Sequence, residues 1–228
     1  KEARRLTSHP DFKGSITDVG GPTANLYGAT CSADPSRCHR SSCLWPEVCR
    51  NLQPRQRELA GLLRRIAGLP GIKSLRVASG IRHDLAIKEP EYTRALVREF
   101  TGGQLKLAPE HCAETALRLM RKPRFDHFER FLSTFEKESR SAGKEQFIVP
   151  YLMSAFPGTT TEDMRALKRW LNARGWKPQQ AQCFIPTPGT VATAMYFAGV
   201  DEKGRKVTVA RTDAERLRQH RILTSRQD

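Results

Sequence analysis

A chain of 228 residues can bury one core of full size or two small ones, and one is expected here. No apolar run reaches membrane-spanning length and no signal peptide is expected, and in such a setting six cysteines argue against a disulfide-stapled secreted scaffold. The expectation is a soluble, cytoplasmic protein whose cysteines are thiols or metal ligands. A formal charge of +15 invites phosphate-bearing partners. The basic residues, however, recur at 55–65, 118–124, 137–144, 168–177 and 203–221, the spread of solvated helix faces rather than one binding patch.

Residues 1–13 read as a helix end and a loop, with Pro10 stopping regular structure. A short strand follows at 14–18, and Gly20-Gly21-Pro22 after it is a turn signal that leaves main-chain N–H groups open to a ligand. The next loop carries Cys31, Cys38, Cys43 and Cys49, and Asp34-Pro35 and Trp45-Pro46 keep it from being helical. Pro54 opens an amphipathic helix with Leu59, Leu62, Leu63 and Ile66 on its inner face, stopped by Gly68 and Pro70. A strand at 74–79 then ends in the polar group Ser79, Arg82, His83 and Asp84.

Pro90 starts a helix with Tyr92, Ala95, Leu96 and Phe100 inside, closed by Gly102-Gly103. A third strand at 104–108 leads through Pro109-Glu110-His111 into a helix with Cys112, Ala116, Leu117 and Met120. Phe128, Phe131, Leu132 and Phe135 mark a further helix, whose aromatic stripe reads as core. The strand at 147–153 is nearly all apolar, the composition of a strand covered on both faces. Past Pro157 and Gly158, a helix with an acidic start at Glu162-Asp163 buries Met164, Leu167 and Leu171. A fifth strand at 181–185 precedes Pro186-Thr187-Pro188-Gly189-Thr190, and a basic helical pattern runs through 216–228.

Strand and helix thus alternate, with the polar groups at the carboxyl ends of strands. Such alternation implies right-handed crossovers and a parallel α/β sheet, whose sites lie at those carboxyl ends. Periodicity alone does not choose between an open doubly wound sheet and most of a barrel.

The order of strand endings resembles that of radical S-adenosylmethionine (SAM) enzymes, specifically the YgiQ family. Asp18-Val-Gly-Gly-Pro-Thr-Ala-Asn25 resembles the glycine-rich second-strand motif that hydrogen-bonds the SAM amino group, and Ser79-Gly-Ile-Arg82 stands at the third strand. Lys106-Leu-Ala-Pro-Glu-His111 with Leu117-Arg-Leu-Met120 is similar to the fourth-strand segment that approaches the ribose and carboxylate. Met153-Ser-Ala-Phe-Pro-Gly158, continuing to Met164, resembles the fifth-strand turn near the adenine. Phe184-Ile-Pro-Thr-Pro-Gly189 with Ala192-Thr-Ala-Met-Tyr196 resembles the sixth.

The resemblance implies a parallel partial (β/α) barrel over 1–199, lacking its first strand, and the start of a C-terminal extension at 200–228. It also implies a four-iron four-sulfur (4Fe-4S) cluster, SAM, a reductant protein, an unidentified substrate and no membrane partner. One departure is plain: the family's Cys-x3-Cys-x2-Cys cluster segment is absent, and Cys38, Cys43 and Cys49 do not have that spacing. With Lys1 in place of an initiator methionine, the expectation is that this segment lies upstream and that the fragment alone is inactive.

On this basis the cofactor-binding candidates are Gly20, Gly21, Pro22, Thr23, Ser79, Arg82, Lys106, Glu110, His111, Pro157 and Gly158. Each has a plainer alternative. The glycines fit a tight turn, Glu110 and His111 fit a helix cap, and Arg82 and Lys106 fit either neutralisation of a carboxylate or simple solvation. The metal candidates are Cys31, Cys38, Cys43 and Cys49, four soft donors within nineteen residues that suit an auxiliary iron–sulfur cluster or zinc. Two disulfides or four unligated thiols are the alternatives. Cys112 and Cys183 read as core thiols, and His127 and His220 as surface residues. No general acid or base is assignable, and no Gly-x-Ser-x-Gly elbow is present. The rival reading is a basic RNA-binding or RNA-modifying module in which the cysteine loop is a zinc knuckle; a scaffold without chemistry is a second.

Overall fold

Glycine and proline punctuate the first half of the chain so closely that its strands are short. The structure, a computed structural model, describes residues 1–20, 24–178 and 181–225. Helix α1 (Glu2–Thr7) precedes β1 (Ser15–Ile16), a 3-10 turn at Ala24–Leu26, and an antiparallel ribbon of β2 (Thr30–Cys31) and β3 (Leu52–Gln53). Helix α2 (Gln56–Ala67) buries Leu59, Ala60 and Leu63, while Leu62 and Ile66 are half-buried. It ends at Gly68, whose N–H returns to Arg64 C=O.

β4 (Ser74–Leu75) then pairs parallel to β1, Ser15 opposite Ser74 and Ile16 opposite Leu75. The ladder runs past both strands: Gly14 C=O accepts from Lys73 N–H (2.7 Å), and Val19 N–H donates to Arg76 C=O (2.7 Å). The expected strands at 14–18 and 74–79 are therefore present as a paired segment, although only two residues of each are regular.

After the short α3 (His83–Ala86), α4 (Pro90–Ala95) widens into a π-helical turn at Leu96–Phe100. Tyr92, Ala95, Leu96, Val97 and Phe100 are all buried. Gln146 closes this helix by donating to Val97, Thr101 and Gly102 carbonyls at 3.0, 2.8 and 3.1 Å, which satisfies groups that a helix end leaves open. β5 (Gln104–Glu110) joins the extension of β4 through Lys106 N–H to Ala78 C=O (3.3 Å). Then come α5 (Glu114–Leu119), α6 (Phe125–Ser141), β6 (Phe147–Ser154), α7 (Thr161–Ala173), β7 (Gln182–Cys183), α8 (Val191–Ala198) and α9 (Asp213–Thr224). The order β5-β6-β7 makes one sheet, with β6 and β7 parallel.

The fold is mixed α/β with parallel strand pairs, and it divides into two compact units. The first holds Lys1–Leu44, Val48–Leu107 and Asp126–Val149; the second holds Trp45–Glu47, Ala108–Phe125 and Pro150–Asp228. In the first, the α6 stripe of Phe128, Phe131, Leu132 and Phe135 is fully in the core, with His83 edge-on to Phe128. In the second, Leu152, Met164, Leu167, Leu171, Ala181 and Leu223 form one cluster, and Leu119, Phe156, Phe184 and Met195 another. Burying each Leu or Met contributes about 1.5–3 kcal/mol. Residues 213–224 thus form a packed helix: a capping box of Thr212 and Glu215 starts α9, and Leu223 anchors it.

Two sequence expectations change. β6 is not covered on both faces, since Phe147 and Tyr151 are 57% and 51% exposed; an apolar run records composition, not which neighbours arrive. His127 and His220 are half-buried rather than fully at the surface. His127 Nδ1 is buried with no hydrogen-bond partner among the described residues, and His220 Nδ1 lies 3.3 Å from the buried Ser154 Oγ. Among the described residues no helix is long and apolar enough to cross a membrane.

Candidate functional site

Because β1 and β4 run parallel, their ends come together, and the residues just past them form the polar group of the first unit. Asp18 Oδ1 accepts from Ala78 N–H (2.9 Å) and Ser79 N–H (3.2 Å), and Ser79 Oγ donates to Asp18 Oδ2. Burial opposes the charge on this carboxyl. The Ser79 hydroxyl, the two amides and the Lys106 ammonium outweigh it and hold the group below its usual value. Gly20 sits over this carboxylate, where a Cβ would come within 2.9 Å of Asp18 Oδ1 and 3.0 Å of Ser79 Oγ. A side chain there would force these two groups to shift. Gly21, Pro22 and Thr23 lie outside the described residues.

Asn25 is tied to the segment that follows β4. Its side-chain amide pairs with both main-chain groups of Arg82, accepting from the N–H (2.9 Å) and donating to the C=O (2.9 Å). It also donates to Gln56 Oε1 (3.0 Å), and Gln56 donates to Leu85 C=O (2.9 Å). Arg82 does not present its fork to a ligand: Nε and Nη2 hold the two oxygens of Asp84 at 3.1 and 2.6 Å, and the Asp84 side chain is 2% exposed. A buried carboxylate needs that partner. Lys106, by contrast, is exposed and close enough to Asp18 to bear on its charge.

In the second unit, the last residue of β5, Glu110 (φ 64), and the residue just after β6, Ala155 (φ 58), are non-glycine residues in the left-handed region. Such conformations persist only where surroundings enforce them. Lys122 Nζ enforces the first, binding Glu110 Oε1 (3.1 Å) and Ala108 C=O (3.3 Å). Gln219 of α9 enforces the second, accepting from Ala155 N–H (3.0 Å) and Thr159 Oγ1 (3.0 Å) and donating to Thr159 C=O (3.2 Å).

Next to Glu110, His111 is wholly buried. Its Nδ1 accepts from the N–H groups of Cys112 and Ala113 (2.9 Å each) at the start of α5. That leaves the proton on Nε2, 3.3 Å from Met164 Sδ. Burial pushes His111 down to about 4, against the opposing pull of Asp163, so the ring is neutral. Pro157 is buried, and Gly158, at φ +92, faces Leu119 so closely that a Cβ would lie 2.2 Å from its Cδ1. Both therefore shape the β6 turn.

The four-cysteine loop is closed at its base by the β2–β3 ribbon, which sets Cys31 opposite Leu52. Cys49 N–H donates to Cys43 C=O (2.7 Å), and Leu52 N–H to Cys49 C=O (3.0 Å). The main chain thus gathers three of the four positions, but the thiols are not assembled. Cys31, Cys38 and Cys43 are exposed, Cys49 is buried, and no two of the six cysteines form a disulfide. Among the described residues no group of three or more His, Cys, Asp or Glu side chains is arranged to hold a metal ion.

No protein-family model matches the chain. A protein of Pseudomonas aeruginosa is 44% identical over 215 residues, covering 91% of this chain and 29% of its own length, and its name is UPF0313 protein. This chain is similar to UPF0313 proteins. A UPF0313 protein of Geobacter sulfurreducens is 45% identical over 225 residues, 97% of this chain and 37% of its own length. One of Methanosarcina acetivorans is 41% identical over 226 residues, 98% and 30%. The chain therefore spans about a third of the length of these UPF0313 relatives.

Sequence reasoning found the strand-end residues but missed what holds them. Gln56, Gln146 and Gln219 are three amides that satisfy main-chain groups far along the chain, and Lys122 reaches back to Glu110. No periodicity marks such residues; of the side chains that hold the strand ends, only Asn25 lies within the Asp18–Asn25 segment.

Proposed function

We propose that this chain is part of a radical SAM enzyme of the YgiQ type, a parallel partial (β/α) barrel that holds SAM at the carboxyl ends of its strands. The Asp18 carboxylate carries this reading: it is ionised, locked by the adjoining strand end, and overlain by a glycine, in a motif that resembles the family's amino-group site. The neighbour relations β1–β4, β4–β5 and β6–β7 support the barrel. The complete protein would use a 4Fe-4S cluster to cleave SAM reductively, releasing methionine and a 5′-deoxyadenosyl radical for hydrogen abstraction from an unidentified substrate.

The residues of this chain fit the SAM part of that proposal. Asp18 keeps a lone pair on Oδ2 for an ammonium donor, Gly20 lets the main chain approach, and Ser79 holds the carboxylate in place. Lys106, exposed beside Asp18, supplies the charge that a ligand carboxylate requires. Arg82 is committed to Asp84 and serves as a strut. The residues do not fit the principal cluster, for which we place the ligands in the part of the protein this chain does not span. The loop of Cys31, Cys38, Cys43 and Cys49 carries the metal-binding part of the proposal, an auxiliary cluster or zinc, and as placed its thiols are not yet a ligand set.

The test is calorimetric titration of the full-length protein with SAM. Saturable binding is expected, weakened about tenfold or more by Asp18→Asn through loss of a charge-assisted bond. Under reductant, anaerobically reconstituted protein should then form 5′-deoxyadenosine. Binding that ignores Asp18→Asn overturns the site. No SAM binding, together with steeply salt-dependent RNA binding, overturns the reading in favour of a nucleic-acid role.

A further inference from the structure

The amino end of β4, opposite the Asp18 site, borders a cavity of about 330 Å³ in the first unit, within the range of small-molecule sites. Ile72 and Phe100 are among its apolar lining, and its charged lining is Arg64, Lys73, Arg76 and Glu99. Three cations against one carboxylate leave two positive charges. Arg64 spends its fork on Glu99, with Nε 2.9 Å from Oε2, so that carboxylate serves neither of the others. Arg76 reaches only carbonyls, Nη1 lying 3.3 Å from both Leu75 and Glu99 oxygens, and its remaining donors have no partner among the described residues. Lys73 has no ion pair there either.

The excess is felt next door. Lys144, whose ammonium is set on Arg98 C=O, is held below its usual value, first by burial and then by the Arg76 charge, with Glu99 opposing. The exposed Lys73 and the half-buried Arg76, neither paired with a carboxylate and both beside the half-buried Ile72, suit a ligand with a dianionic end and an apolar body, which would replace water on the two cations and cover the apolar side.

We propose that this cavity binds a small ring-bearing phosphate of nucleoside-monophosphate size, independently of SAM. The site is separate from the strand-end group, so it stands or falls without the SAM reading. Adenosine monophosphate is the probe, titrated calorimetrically into the full chain, with adenosine as its uncharged counterpart. Saturable binding at least tenfold tighter than that of adenosine is expected. Lys73→Glu, which disturbs no hydrogen bond, should weaken it tenfold or more without moving the melting temperature, and Arg76→Gln should weaken it as well. Asp18→Asn and saturating SAM should leave it unchanged. The proposal fails if adenosine monophosphate does not saturate, if adenosine binds equally well, if Lys73→Glu retains full affinity, or if SAM displaces the probe.

Discussion

His111 shows how one buried ring changes meaning once its neighbours are known. As a neutral cap for α5 with a pKa of about 4, it refuses a proton that the unfolded chain accepts near 6.5. Its contribution is therefore complete above pH 6.5 and is lost progressively as pH falls toward 4, on the order of 3 kcal/mol in all. Urea titrations at pH 7 and pH 4.5 should register that loss, and His111→Asn, which keeps an acceptor for the two amides, should flatten it. Arg82 makes the complementary case. Removing it leaves Asp84 charged and buried, so Arg82→Ala should cost about 3–5 kcal/mol. A loss below about 1 kcal/mol would mean that the pair is a surface contact in practice.

Between residues and the whole stand the strand-to-helix turns, and here geometry rather than charge decides. Gly158→Ala meets both a left-handed backbone and a Leu119 methyl group, and thermal melting should show about 1–3 kcal/mol of destabilisation. The same turn depends on Gln219, whose amide serves Ala155 and Thr159. Gln219→Leu strands those groups in the core, and about 2–4 kcal/mol should be lost. For the cysteine loop, the expected outcome is one equivalent of zinc or an iron–sulfur centre bound per full-length chain, measured by elemental analysis. Cys38→Ala with Cys43→Ala should lower it, and an unchanged content would exclude the loop as the binding site.

For the molecule as a whole, ligand linkage gives a test that needs no turnover. SAM at about 100 times its dissociation constant should raise the folding free energy by about 2.7 kcal/mol if it binds only the folded state, and the Asp18→Asn protein should show much less. The +15 charge makes a further check useful: a single contact at the exposed Asp18 should weaken only modestly as salt rises, far less steeply than a phosphate-bearing partner held by many cations.

Periodicity was enough to locate the longer helices, because burying an apolar stripe at a 3.6-residue repeat leaves little choice at Phe128, Phe131, Leu132 and Phe135 or at Met164, Leu167 and Leu171; the β2–β3 ribbon, α3 and α8 carry no such repeat. The order of polar groups after the strands was legible for the same reason: breakers and turn residues act locally. What the linear pattern could not assign was partnership. Whether Arg82 waits for a ligand or holds Asp84, whether His111 faces a cofactor or caps a helix, and whether four thiols converge depend on residues brought close only by the folded backbone. Long-range hydrogen bonds and ion pairs leave no repeat in the sequence, since they are chosen by distance in space, and the tertiary structure alone sets those distances.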